Sequence, residues 1–211
     1  PHRAVWHGIT TYSRPHLQLW LLEKEVHMPS NNQPGSPPVL VPLWTREEIA
    51  KSVATLARNI DRDYVDCTPV LVGALKGAFI FMADLVRELQ TPVEIEFMRL
   101  SSYGTGTESS GDVQIEFGPS REAIEGRSVI VVEDIIDTGL TTTAALEHLN
   151  QYDPSSLRIC TLLDRPERRL VELEADYAGF TFTDHFVVGY GLDLDQKYRQ
   201  LPGIYGLETD A

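Results

Sequence analysis

Apolar side chains return every three or four positions through "WTREEIAKSVATLARNIDRDY". Thr45 with Glu48 three residues later has the form of a capping box, so the spacing predicts a helix from about 46 to 62. "PVLVGALKGAFIFMADLVREL" then reads as a short Val/Leu strand, a glycine-containing turn at 73 to 77, and a helix with an apolar face running toward Leu89. "VEIEFMRL" alternates polar and apolar positions as a strand does, and the pattern lapses in "SSYGTGTESSGD", which reads as a loop. "VQIEF", "SVIVVED" and "LRICTLLD" supply further strands, with "LTTTAALEHLNQY" as the helix between the last two. This repeated order predicts an α/β fold on a mainly parallel sheet. In the tail, "ADYAGFTF", "FVVGYGLD" and "YRQLPGIYGL" are short β-prone stretches parted by turns. They are expected to cover the carboxyl ends of the central strands, where open α/β sheets bind ligands. Residues 1–38 mix His, Trp and Pro with polar residues and read as an extension and linker ahead of a domain spanning 39–211. Within them "HLQLWLLEKEV", 16 to 26, can form a short amphipathic helix that packs on the core or on a partner.

Composition narrows the function classes. A chain of 211 residues has room for one substantial core, and no apolar run is long enough to cross a bilayer, so no membrane partner is expected. With 31 acidic against 18 basic residues, the net charge of −13 argues against nucleic acid as a partner. It does not exclude small phosphorylated ligands, which a few cations and backbone amides can bind. Cys67 and Cys160 belong to no short cysteine motif, which leaves neither a disulfide framework nor a thiolate metal centre. The start lacks a basic segment followed by a secretory apolar core, making a cytoplasmic setting the expectation.

The densest chemistry lies in "SVIVVEDIIDTGLTTTA", 128 to 144. A strand through "VIVV" delivers the following residues to its carboxyl end, beside the amino end of the next helix. Gly139 permits a tight backbone path, and Thr138, Thr141, Thr142 and Thr143 can either cap the helix or donate hydrogen bonds to oxygens, with open amides completing a phosphate cradle. The segment has neither the glycine and lysine pattern of nucleotide triphosphatases nor the three-glycine dinucleotide fingerprint. A bare helix cap would account for Gly and Thr and leave Glu133 and Asp134 unexplained. Adjacent residues on a strand point to opposite sides, so separate roles are expected for these two rather than an acid pair. Either can accept from sugar hydroxyls or orient a hydrated divalent cation, while Asp137 points toward another part of the substrate.

Taken with "VLVGALKGAFIFMADLVREL", "RLSSYG", "TLLDRPERR" and "DHFVVGYGLDLDQKYRQLPGIYGL", the stretch 129 to 141 resembles the hypoxanthine and guanine phosphoribosyltransferases, from about residue 39 to the end. The resemblance implies the type I phosphoribosyltransferase fold, an α/β architecture with a central, mainly parallel twisted sheet flanked by helices. A small hood, formed largely by the carboxyl-terminal segment, would lie over the strand ends. It implies Mg²⁺-dependent transfer of 5-phosphoribose from 5-phospho-α-D-ribosyl 1-diphosphate to N9 of a 6-oxopurine, hypoxanthine or guanine, with release of pyrophosphate, as in purine salvage. Glu133 and Asp134 would engage the ribose diol and its metal, and Asp137, Thr138, Gly139, Leu140 and Thr141 the 5-phosphate. Asp137 would also approach purine N7 as the catalytic proton acceptor or electrostatic stabiliser. The Leu75–Lys76 peptide would be cis, with Leu75, Lys76 and Gly77 at the pyrophosphate, where Arg199 and the flap residues Ser102 and Tyr103 would join them. Phe186 would stack on the purine, Val187 would meet its polar edge through the backbone, and Asp193 would be a metal-associated acid on the purine side.

Arg165 departs from the pattern, standing where the resembled enzymes use lysine to recognise the 6-oxo group. A guanidinium is planar and bulkier than an ammonium, so the exchange bears on base preference. A xanthine-preferring enzyme and a phosphoribosyltransferase-like binding or regulatory protein with weak turnover are the alternatives; the assortment of Glu133, Asp134, Asp137, Asp193 and Arg199 weighs against the second. The resemblance further implies a homodimer or homotetramer.

Overall fold

The computed structural model describes residues 38–102, 113–183 and 185–208. The chain runs β1 (Val39–Trp44), α1 (Arg46–Asp63), β2 (Val70–Leu75), α2 (Phe79–Glu88), β3 (Glu94–Ser102), β4 (Val113–Phe117), α3 (Arg121–Ile124), β5 (Ser128–Ile136), α4 (Leu140–Asn150), β6 (Ser156–Asp164), a 3-10 turn (Pro166–Arg168), β7 (Tyr177–Thr181), β8 (Phe186–Val188) and β9 (Ile204–Glu208). The predicted capping box opens α1: Glu48 N–H donates to Thr45 Oγ1 (3.2 Å) and Thr45 N–H to the Glu48 carboxylate (2.8 Å). The possible helix at 16–26 and the loop 103–112 lie outside the described residues.

Six strands form the main sheet in the order β4-β3-β2-β5-β6-β7, parallel throughout except for β4 on β3. The two-residue alternation of the central strands sorts the core. Leu71, Ile130 and Val132 pack with Ile49, Ile60, Phe81 and Leu85 of α1 and α2. Val70, Val72, Val129 and Val131 pack on the opposite face with Ile124 of α3 and Ala145 and Leu149 of α4. Covered on both faces, β5 is an unbroken aliphatic run from Val129 until Glu133.

Two expectations change. β2 continues through Gly73 to Leu75 rather than turning at 73, because Gly73 sits in register with Phe97 of β3. The tail divides: β7 extends the main sheet beside β6, whereas β8 and β9 join β1 in a separate three-stranded sheet ordered β1-β9-β8. Pro42 hides β1 from a reading by pattern, yet the strand is an edge, where a missing backbone N–H is tolerated. Among the described residues no helix is long and apolar enough to cross a membrane.

Candidate active site

At the carboxyl ends of β2, β5 and β6 two cavities of ≈ 280 and ≈ 510 Å³ share Lys76, Gly77, Asp134, Ile135 and Asp137, and so form one cleft. The alternation of β5 sets its two leading acids apart. Glu133 continues the face of Val129 and Val131, and its Oε1 accepts from Thr142 Oγ1 of α4 (3.3 Å). Asp134 continues the opposite face and reaches the turn after β2, where a Cβ on Gly77 would overlap its carboxylate. Only glycine admits Asp134 there. The Leu75–Lys76 peptide in that turn is cis.

The smaller cavity is lined by Leu75, Glu133, Asp134, Asp137, Thr138, Gly139, Thr141 and Thr142, besides Lys76 and Gly77. Gly139 is the N-cap of α4 with φ +83° and has no side chain to cap the helix. The first intrahelical bond runs from Thr143 N–H to the Gly139 carbonyl, and Leu140 N–H is held only by Thr138 Oγ1 at 3.4 Å. Thr141 and Thr142, whose N–H groups also precede that first intrahelical bond, line the cavity, as the free N–H groups of anion-binding helix starts do. Leu140 and Ser102 line neither cavity; Ser102 ends β3 opposite Val113, and Tyr103 lies outside the described residues.

Charge is concentrated in this cleft. Burial, then the neighbouring Asp134, pushes the Glu133 carboxyl up to about 8 against a weaker pull from Thr142. Burial also raises Asp134, to about 6, while backbone N–H bonds and Arg199 hold it back. Arg199 lines the larger cavity, donates to the Gly191 carbonyl (2.7 Å) and pairs with Asp193 (2.7 Å). The Lys76 ammonium donates to Gln196 Oε1 (3.0 Å) rather than standing free in solvent. No three Asp, Glu, His or Cys side chains among the described residues gather closely enough to cage a metal ion. Asp134 and Asp193 nevertheless line the same cavity, and two carboxylates suit a hard divalent cation that takes its other oxygens from a ligand and water.

The larger cavity adds Arg165, Arg168, Phe186, Val187, Leu192, Asp193 and Arg199. Phe186 is 52 % exposed, an aromatic face open to the cleft, whereas Val187 is buried and offers its backbone from an edge strand. Arg165 lies over the Phe182 ring (5.1 Å to the centroid), and its Nε–H donates to the Thr183 carbonyl (3.0 Å). Arg165 and Arg168 approach Asp137 Oδ1 to 3.8 and 3.6 Å, yet that buried oxygen accepts no hydrogen bond. Reading by motif missed Arg168, Arg169 and Gln196. Three arginines in the five residues after β6, in so acidic a chain, were the available signal.

A model of the phosphoribosyl transferase domain matches residues 44–195. Hypoxanthine phosphoribosyltransferase of Salmonella typhimurium is 49 % identical over 157 residues, covering 74 % of this chain and 88 % of that protein. Hypoxanthine-guanine phosphoribosyltransferase of Streptococcus pneumoniae is 46 % identical over 169 residues, covering 80 % and 93 %. Among solved structures, a hypoxanthine-guanine phosphoribosyltransferase of Bacillus anthracis superposes with a TM-score of 0.74 at 44 % identity, covering 79 % of this chain and 98 % of that one.

Proposed function

The chain belongs to the hypoxanthine-guanine phosphoribosyltransferase family of pentosyltransferases, and from that membership we propose transfer of 5-phosphoribose from 5-phospho-α-D-ribosyl 1-diphosphate to N9 of hypoxanthine or guanine. The products are IMP or GMP and pyrophosphate. One observation carries the reading. A single cleft sets open N–H groups for a phosphate beside acids for a sugar, and an exposed aromatic with two guanidinium groups beyond them, with the unbonded Asp137 oxygen between.

In this reading the turn Thr138–Thr141 holds the 5-phosphate and Glu133 and Asp134 accept from the ribose hydroxyls. The backbone of Leu75, Lys76 and Gly77 receives the diphosphate, Arg199 exchanges Asp193 for its oxygens, and Ser102 and Tyr103 approach it from the flap. Mg²⁺ held through Asp134 and Asp193, with Glu133 nearby, would neutralise charge on the leaving group. The C1–O bond to pyrophosphate breaks as the N9–C1 bond forms, and Asp137 takes up or stabilises the proton of the base at N7. Phe186 stacks on the purine, and Val187 meets its polar edge. Exposed Ile95, Phe97 and Phe117 on one face of the main sheet support a homo-oligomer.

Product formation from the donor with hypoxanthine, guanine, xanthine and adenine, in the presence of Mg²⁺, tests the assignment. Turnover of a 6-oxopurine is expected, and none with any base, from folded protein, would overturn it. The pair Arg165 and Arg168 favours a second reading, xanthine, whose additional oxo group offers another acceptor. Preferred turnover of xanthine would select it.

A further inference from the structure

We infer that Arg169 is a positioning residue, which orients the backbone of the phosphate turn so that consecutive N–H groups face the cleft. Its side chain is only 10 % exposed, and its guanidinium makes four contacts. Nη1 donates to the carbonyls of Ile136 and Asp137 at 2.6 Å each, Nη2 donates to the Asp164 carboxylate, and Nε donates to the Leu173 carbonyl (3.4 Å). The next residue continues the brace, since Leu170 N–H donates to the Thr138 carbonyl (3.0 Å). Three successive carbonyls, 136 to 138, are thus tied to two successive residues.

The consequence follows from peptide geometry. In a trans peptide the C=O and the following N–H point in opposite directions, and the cis bond found among the described residues lies elsewhere, at Leu75–Lys76. Fixing carbonyls 136, 137 and 138 on the Arg169 side therefore directs the N–H groups of Asp137, Thr138 and Gly139 to the other side. These three residues line the smaller cavity. Successive N–H groups converging on one concavity make an anion nest. Arg169 itself lines neither cavity, so it acts through the turn and touches no reactant. The same segment packs on the turn from outside: Val171 Cγ2 lies 2.8 Å from where a Cβ on Gly139 would stand. A lysine keeps the charge but lacks the planar fork that reaches separate carbonyls and a carboxylate together.

The inference rests on the proposed reaction for the identity of the anion, so its test includes binding without turnover. In Arg169→Lys, calorimetric affinity for ribose 5-phosphate should fall about tenfold and KM for the diphosphate donor rise about as much, with KM for the purine moving less than about threefold. Asp164→Asn, which keeps the arginine but weakens its anchoring carboxylate, should shift phosphate affinity in the same direction by less, and it decides the matter if Arg169→Lys does not fold. Unchanged phosphate affinity, or a purine KM that rises in parallel with the donor KM, would reduce Arg169 to a structural residue. Wild-type protein that binds no ribose 5-phosphate would overturn the inference as well. Wild-type protein that binds it yet turns over no purine would sink the reaction alone, and the binding comparison would still decide Arg169.

Discussion

Glu133 follows four fully buried aliphatic residues and is itself 5 % exposed, so its carboxylate has little water to stabilise it. A carboxyl that titrates near 8 in the fold, against 4.5 in an unfolded chain, binds its proton more tightly when folded. Its contribution to stability is full below about pH 4.5 and declines as pH rises toward 8. Glu133→Gln removes that decline. In buffer without divalent cations or substrate, the variant should gain roughly 2 to 4 kcal/mol over wild type at pH 7, with the gain vanishing near pH 4. Thermal unfolding across the pH range reads this, and a constant difference would refute the buried-acid account. Asp137 has one carboxylate oxygen buried and unbonded, beside two guanidinium groups. Asp137→Asn keeps shape and removes basicity, so kcat should fall about 10²- to 10³-fold with little change in KM for the donor. A kcat within a few-fold of wild type would take the proton-handling role away from Asp137.

At the scale of elements, Gly77 and Asp134 show how two strand ends are fitted together. Gly77→Ala would push a methyl group into the Asp134 carboxylate, which must then leave its place between the turn and Arg199. Overpacking of this kind costs about 1 to 3 kcal/mol. The expected result is a lower unfolding midpoint together with a raised donor KM; retention of both would mean that the turn yields freely. The sequence made much of this layer legible, because its signals are local. The capping box at Thr45 and Glu48 marks the start of α1, and strand alternation already assigns Glu133 and Asp134 to different sides. What stayed hidden depends on partners distant along the chain or on groups that every residue carries. Pro42 masked β1, and nothing local distinguishes β7, which pairs with β6, from β8, which pairs with β9. The pairing of Arg199 with Asp193 and the grip of Arg169 on backbone carbonyls leave no residue pattern to read.

For the molecule as a whole, the face of the main sheet that carries α1 and α2 is incompletely covered. Ile95 and Phe97, two apart on β3 and so on one side, are 45 % and 37 % exposed. Phe117 of β4, opposite Arg99 and thus on the same side, is 47 % exposed. Phe97 packs on the side of Gly73 that faces Met82 of α2, which identifies the face, and Phe79 at the start of α2 is 44 % exposed. Exposed large apolar side chains gathered on one sheet face of a chain of charge −13 are the kind of surface that a second copy buries. Phe79 stands two residues beyond Gly77, so association there would also steady the turn proposed to receive pyrophosphate. Native mass spectrometry should find a dimer or tetramer. The double variant Ile95→Lys with Phe97→Lys should weaken association about 100-fold or more, because central aromatic anchors dominate such interfaces. Turnover should then fall as the protein is diluted through the dissociation range, with the donor KM rising first. A wild-type monomer at every working concentration would refute the interface, whereas a dissociated variant of undiminished activity would refute only its link to the turn.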